Sequence, residues 1–242
     1  MRAMVSNCAM KNRKTKILKL AGIVALIVLI AITCRVTIIP DEVVQTVVNA
    51  EGQTVVVEKL SVAQQYAVDY WDTKVVPAIK ERAVDMAEFV KDTQADLTAT
   101  GLKYGNRANE TSAWSFCVKG DVKVLDIENA EKPNKTLLVL DLAPYDGQPD
   151  CKLFYGKVFS SNIKNAIRDG VGFLHLDDFE NQVEFADVTT AFNDKVKNEI
   201  LTQHDAADLK GKQISFYGCI SLTDATYENM VVIPVEIAVA GS

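Results

Sequence analysis

The chain is poor in the side chains that carry most enzymatic chemistry. Its 242 residues hold only two histidines, His175 and His204. Neither has a second histidine at helical spacing, so the usual basis of a zinc site is missing. There is no glycine-rich loop of the phosphate-cradling kind and no nucleophile elbow. Cys117, Cys151 and Cys219 each fall in an expected strand without an adjacent histidine, and the sequence around them shows no electropositive setting that would lower a thiol pKa. Buried thiols are the expectation for all three. Three exported cysteines allow at most one disulfide and leave one thiol over. Catalytic residues, a metal and a cofactor are therefore not expected. Internal repeats and low-complexity segments are absent as well.

Another absence organises the chain. Residues 1–34 contain Arg2, Lys11, Arg13, Lys14, Lys16 and Lys19 and not one acid. Setting those six aside leaves 20 basic against 32 acidic residues beyond Cys34, a formal balance of −12. A domain that acidic is repelled by phosphate backbones and anionic lipid heads, so nucleic acid is not an expected partner.

The basic start leads into an apolar run, Leu20 to Thr33, fourteen residues without a charge. A bilayer span needs roughly 20 residues and a signal h-region about 7–15. Ile17, Leu18, Val36, Ile38 and Ile39 extend the greasy zone, and Lys19 and Arg35 can snorkel at its ends. Either way, the positive N-terminal flank stays in the cytoplasm and the rest goes out. A lipid-acceptor cysteine usually follows a branched aliphatic residue at −3 and a small residue at −1. Cys34 follows Ala31, Ile32 and Thr33, the first smaller and the last larger than usual. Two readings stand side by side, lipidation at Cys34 or an uncleaved transmembrane anchor. Both put the protein on the outer face of the cell membrane.

Beyond the anchor, Val43 to Val48 and Thr54 to Val57 flank Glu51-Gly52 as a candidate hairpin. Ser61 and Gln64 have capping-box spacing, and about thirty helical residues follow with Pro77 midway, where a kink or a fresh start is expected. Ile79, Ala83, Met86, Ala87 and Val90 mark a buried face. From Trp114 the period changes to two. WSFCVKGDVKVLDIEN reads as a long strand broken at Gly120-Asp121, where a bulge is expected, and NKTLLVLDLA and CKLFYGKVF as two more. Residues 160–185 read as irregular, with at most short helical pieces. A helix over ADVTTAFNDKVKNEILTQ carries Val188, Phe192, Val196 and Ile200 on one face, and GKQISFYGCISL and MVVIPVEIAVAG close the chain as strands.

The expected fold class is α+β: an N-terminal membrane anchor and helical region, then an OB-like five-stranded β-barrel with one intervening helix. Residues 1–39 are expected to be the export signal or anchor, 40–110 a tether and helical region, and 111–242 the barrel. In that strand order Cys117 and Cys219 lie on neighbouring strands, near enough to bridge, while Cys151 is solitary.

His175, Asp177, Asp178, Glu180 and Glu184 form the densest polar cluster, readable as a cation site or as a solvated acidic loop leading into a helix. His204 sits near a helix end, where a partly positive ring is favoured. Trp71 and Trp114 could stack on a sugar or pack in the core. Among barrel aromatics, Tyr155 and Tyr217 are the ones expected to be exposed. Lys103, Tyr104, Gly105, Asn106 and Arg107 form a polar, turn-rich stretch suited to contact. Lys103, Tyr104, Asn106 and Arg107, with Asp177, Asp178 and Glu180, are the interaction candidates.

Five stretches in order, YAVDYWDTKVVPAIKERAVD, KYGNRA, SAWSFCVKGDVKVLDI, LDDFENQVEFADVTTAFNDKV and LKGKQISFYG, resemble the bacterial family called domain of unknown function 2291, predicted periplasmic lipoproteins. The resemblance runs from about Tyr66 to the C-terminus. Members usually carry a lipid-acceptor cysteine before a short basic-aliphatic stretch, which Cys34-Arg35-Val36 resembles. The family's genes tend to lie beside sugar-uptake ABC transporter genes. The resemblance implies a membrane-held accessory protein with a protein partner in an uptake system and no known reaction. The opposing expectation is an envelope hydrolase.

Overall fold

The computed structural model describes residues 44–48, 54–58 and 60–240. The expected anchor over residues 1–39 and its Cys34 lie outside the described residues. Among the described residues, no helix is long and apolar enough to cross a membrane.

The described residues fall into two units that divide at Lys59/Leu60. In the first, β1 (Val44–Val48) and β2 (Thr54–Glu58) pair antiparallel, with Val44 opposite Glu58 and Val48 opposite Thr54. This is the hairpin that the β-prone runs around Glu51-Gly52 lead one to expect.

The second unit opens on α1 (Val62–Tyr70). Ser61 caps it through the expected box, accepting from the Gln64 amide while the Gln64 side chain accepts from the Ser61 amide. The chain widens into a π turn over Trp71–Val75 and restarts as α2 (Val76–Arg82) with Pro77 in its first turn. Proline is tolerated there because first-turn amides have no intrahelical acceptor. Trp71 is buried, with its ring 5.7 Å from Phe192, so the packing role wins. Asp85 then caps α3 (Met86–Tyr104) by accepting from Ala87 and Glu88. Helix α3 is kinked at Asp96, whose carboxylate accepts from Ala99 and restarts the helix.

The five expected strands are present: β4 (Trp114–Glu128), β5 (Leu137–Leu142), β6 (Cys151–Phe154), β7 (Gln213–Leu222) and β8 (Val231–Val239). The sheet nevertheless has six, because a two-residue strand, β3 (Val84–Asp85), pairs parallel with Val118 and Lys119. The extended backbone that Asp85 adopts as a helix cap frees those two residues for pairing. Along the sheet the order is β3-β4-β5-β6-β8-β7, and β7 pairs again with β4. Strand β4 is long enough to serve three neighbours, β7 through Trp114–Lys123, β3 at Val118 and Lys119, and β5 from Val122 onward.

The break expected at Gly120-Asp121 does not occur. Both residues pair regularly, with Phe216 and Ser215, and the irregularity falls between Val124 and Asp126, where β4 leaves β7 for β5. A second irregularity, Tyr217/Gly218, accommodates Pro234 on β8. Gly218 fits there because a Cβ would lie 2.4 Å from the Ile233 carbonyl oxygen.

Between β6 and β8's partner β7 the single expected helix is three. Helix α4 (Ala166–Gly170) forms within the stretch read as irregular, α5 (Gln182–Lys195) continues as a π turn over Val196–Ile200, and α6 is Ala206–Leu209. Helix α5 begins before the expected start because Asn181 accepts from Val183 and Glu184 and caps it. Val188, Phe192, Val196 and Ile200 are all buried, as their spacing requires. The helices and the strands of this unit share one hydrophobic core.

Candidate functional site

Of the two stretches singled out as contact surfaces, the first sends Asn106 and Arg107 into a depression, while Asp177, Asp178 and Glu180 of the second do not line it. Asn106 and Arg107 follow α3, and the facing wall runs from Asp169, near the end of α4, to Leu176. Together with Ala108, Asn109 and Phe185 they line this depression of about 290 Å³. Backbone bonds in both directions between Asn106 and Ser115 tie the first wall to β4. The second wall is tied to the first by the Asn106 amide, which donates to the Gly170 carbonyl at 3.1 Å. Gly172, at φ +75, lets the walls approach, since a Cβ there would lie 2.8 Å from both Arg82 Nη1 and Asn106 Nδ2.

Arg107 is the cationic edge. Its guanidinium lies over the Trp114 ring, 4.2 Å from the centroid, and donates to the Glu110 carbonyl. On the opposite wall Arg168 is buried against the Phe185 ring and paired with Asp169 at 2.8 Å. Leu176 is exposed at the rim, and Val183 is exposed on the first turn of α5. The arrangement offers one stacked cation, amides and exposed aliphatic groups. It offers no nucleophile paired with a base.

The other interaction candidates stand around the depression without lining it. Lys103 is exposed, 3.7 Å from Asp92 and over the Tyr104 ring, whose hydroxyl donates to Glu88. Hydrogen bonding with Tyr104 raises the Lys103 pKa. Asp178 accepts from the His175 amide and Glu184 from the Glu180 amide, so these acids fasten the turn into α5. Asp177 and Glu180 are exposed. Among the described residues no group of three or more His, Cys, Asp or Glu is arranged to hold a metal ion.

Tyr155, expected to be exposed, is buried instead. Its hydroxyl donates to the His204 carbonyl at 2.7 Å, and burial pushes its pKa up to about 12. Strand β6 ends just before it, at Phe154, and all four of its residues are buried, so alternation along this strand leaves no exposed face. Tyr217 is half-buried under Lys80, which also pairs with Glu236 at 2.6 Å.

Further depressions include two others among the described residues. One of about 460 Å³ sets the amides of Asn129, Asn134, Asn162 and Asn229 around Phe154 and Val231. Glu228 on its rim also holds the buried ammonium of Lys152 at 2.8 Å. Another, of about 270 Å³, contains Asp146 and Asp150. Burial raises the Asp150 pKa, although its carboxylate accepts from the Leu142 amide.

Sequence reasoning did not find Arg82, Asp169 or Gly172. The only local signal was the glycine pair in RDGVGF; Arg82 reaches the site from another element altogether.

A family model described as a predicted periplasmic lipoprotein matches residues 24–238. No curated protein matches the chain. Among solved structures, an OB-fold protein from Thermotoga maritima is similar at a TM-score of 0.59 and 18% identity, over 75% of this chain and 99% of that one. At that identity the likeness bears on the fold alone.

Proposed function

We infer a function from the premise that this chain belongs to the domain of unknown function 2291 family of predicted periplasmic lipoproteins. It is an accessory binding protein, held at the outer face of the cell membrane by its N-terminal segment, and it contacts another protein rather than turning over a substrate. The observation that supports this reading is the depression where Arg107 and Asn106 face Leu174, Leu176 and Phe185. A stacked arginine among aliphatic and aromatic groups, with polar amides around it, is the composition of a protein interface core and rim. The strand pairings that run from β4 through β5, β6, β8 and β7 back to β4 make an OB-like barrel in this reading, and the barrel serves as the rigid support.

The partner proposed is a membrane component of a solute-uptake system, in keeping with the gene neighbourhood of the family. No metal, cofactor or nucleic acid takes part. The balance of −12 beyond Cys34 opposes a polyanion. The double change Arg107→Glu with Leu176→Asp tests the reading. After mild crosslinking of membranes, it should remove one defined uptake component that the unaltered protein and a Lys212→Glu control both retain. Equal recovery from all three would reject the depression as the contact.

The second reading, an envelope hydrolase, draws on Asp150, a carboxyl raised by burial beside Asp146. It requires that Asp150→Asn abolish turnover of an envelope substrate while the fold is kept. The bond from Leu142 gives Asp150 a structural use already, and for that reason it ranks second.

A further inference from the structure

Cys117 on β4 and Cys219 on β7 are direct cross-strand partners, with sulfurs 3.9 Å apart. Directly opposed residues of an antiparallel pair have α-carbons about 4.5 or 5.5 Å apart, and both values lie in the range of about 4.4–6.8 Å that a disulfide spans. Both thiols are free and buried. Their surroundings are shaped around the pair. A Cβ on Gly170 would lie 3.2 Å from the Cys219 sulfur and 3.7 Å from that of Cys117, while the Gly170 carbonyl accepts from Cys117 at 3.3 Å. Cys151, on β6, has no such companion among the described residues, and its thiol is pushed up by burial.

The two thiols of the pair are unequal. The hydrogen bond with Cys219 is the main influence lowering the Cys117 pKa; burial opposes it, and the positive charge of Arg82 adds to it. Burial raises Cys219, so Cys117 ionises first. Arg82 supplies the electropositive setting that the sequence around Cys117 does not show. Its residue is exposed, and its guanidinium, like the Asn106 amide, lies close against Gly172, which lines the depression. The thiolate is the form that attacks disulfides.

We propose that Cys117 and Cys219 are a redox-modification site, a dithiol converted to a cross-strand disulfide by thiol–disulfide exchange in the oxidising envelope. The oxidant is a disulfide, borne by an oxidoreductase or a small molecule. The Cys117 thiolate attacks one sulfur of that disulfide, forming a mixed disulfide and releasing one thiolate, which takes up the proton Cys117 gave. Cys219 gives up its proton and attacks the Cys117 sulfur, and the second thiolate leaves and takes that proton. Two electrons pass to the oxidant, which ends as two thiols. An extracytoplasmic location is the compartment in which such a bond persists.

The test uses the full-length protein, taken from membranes into denaturing alkylating buffer and mapped by mass spectrometry. The expected product is a disulfide-linked pair of peptides containing Cys117 and Cys219, with Cys151 alkylated. In parallel, the reduced native protein is exposed to hydroxyethyl disulfide, a small neutral probe. Cys219→Ser should trap a mixed disulfide on Cys117, Cys117→Ser should leave Cys219 unmodified, and Arg82→Gln should slow bond formation at least threefold without changing the end product. The proposal is overturned if both thiols are alkylated without prior reduction in the membrane sample and remain free after the probe. Equal trapping at Cys219 in Cys117→Ser would overturn the assignment of Cys117 as the attacking group. Folding of each variant is checked by its unfolding transition, and the unaltered chain carries the main result if a variant fails to fold.

Discussion

Asn106 and Cys117 donate to the same acceptor, the carbonyl of Gly170, at 3.1 and 3.3 Å. The wall of the depression and the buried thiol pair are therefore fastened at one peptide group. A change on the surface at Asn106 reaches the interior through that carbonyl, and Gly172 decides how closely the two walls can sit.

Asn106→Ala is expected to cost about 1 kcal/mol, since the carbonyl keeps the thiol as a donor. Gly172→Ala should cost about 1–2 kcal/mol, because its φ of +75 is strained for alanine and its Cβ would crowd Arg82 and Asn106. The two costs should not add. Removing the Asn106 amide relieves one of the two close contacts, so the double change should be less destabilising than the sum. Denaturant titrations of the four proteins in a double-mutant cycle check this, and strict additivity would show that the walls are independent.

Tyr155 makes stability depend on alkaline pH. Its folded pKa, about 12, lies above the ordinary value of 10, so the folded state holds the phenolic proton more tightly. The contribution is complete below pH 10 and is lost as pH rises through the folded value near 12. Tyr155→Phe should lower stability at neutral pH by about 1 kcal/mol through loss of the bond to the His204 carbonyl. It should also flatten the decline above pH 10. A parallel decline in both proteins would assign the alkaline loss to other groups.

Much of the fold was legible because its signals are local. The Ser61–Gln64 box, the restart at Pro77, the buried stripe Val188–Phe192–Val196–Ile200 and the alternation of β7 each depend on neighbours within one turn or one strand. The neighbouring positions of Cys117 and Cys219 were legible too, because strand order with alternation sets register. What could not be read was set by distant contacts. Strand β3 exists only because a helix cap lies beside β4, and the position of the β4 irregularity depends on where β7 gives way to β5. Arg82 comes to Cys117 and Asn106 from α2, and nothing in the spacing of those residues announces it. The meeting of residues 106–109 with 169–176 is of the same kind.

Cys34 remains the expected point of attachment. In the lipoprotein reading the mature chain begins at Cys34 with acyl groups on that residue, and Cys34→Ser accumulates a longer, unprocessed chain. Intact-mass measurement distinguishes this from an uncleaved anchor, for which the N-terminus from Met1 would persist in both proteins.

The central claim, a protein contact at the depression between residues 106–109 and 169–176, is tested most directly by photo-crosslinking in intact cells. A photoreactive residue is placed at Asn109 or Leu176, and at Lys212 as a control away from the lining. The account predicts one light-dependent adduct, shared by Asn109 and Leu176 and missing at Lys212, with a membrane component of an uptake system. Adducts from Lys212 alone, or none from Asn109 and Leu176 while the protein is present and anchored, would contradict it.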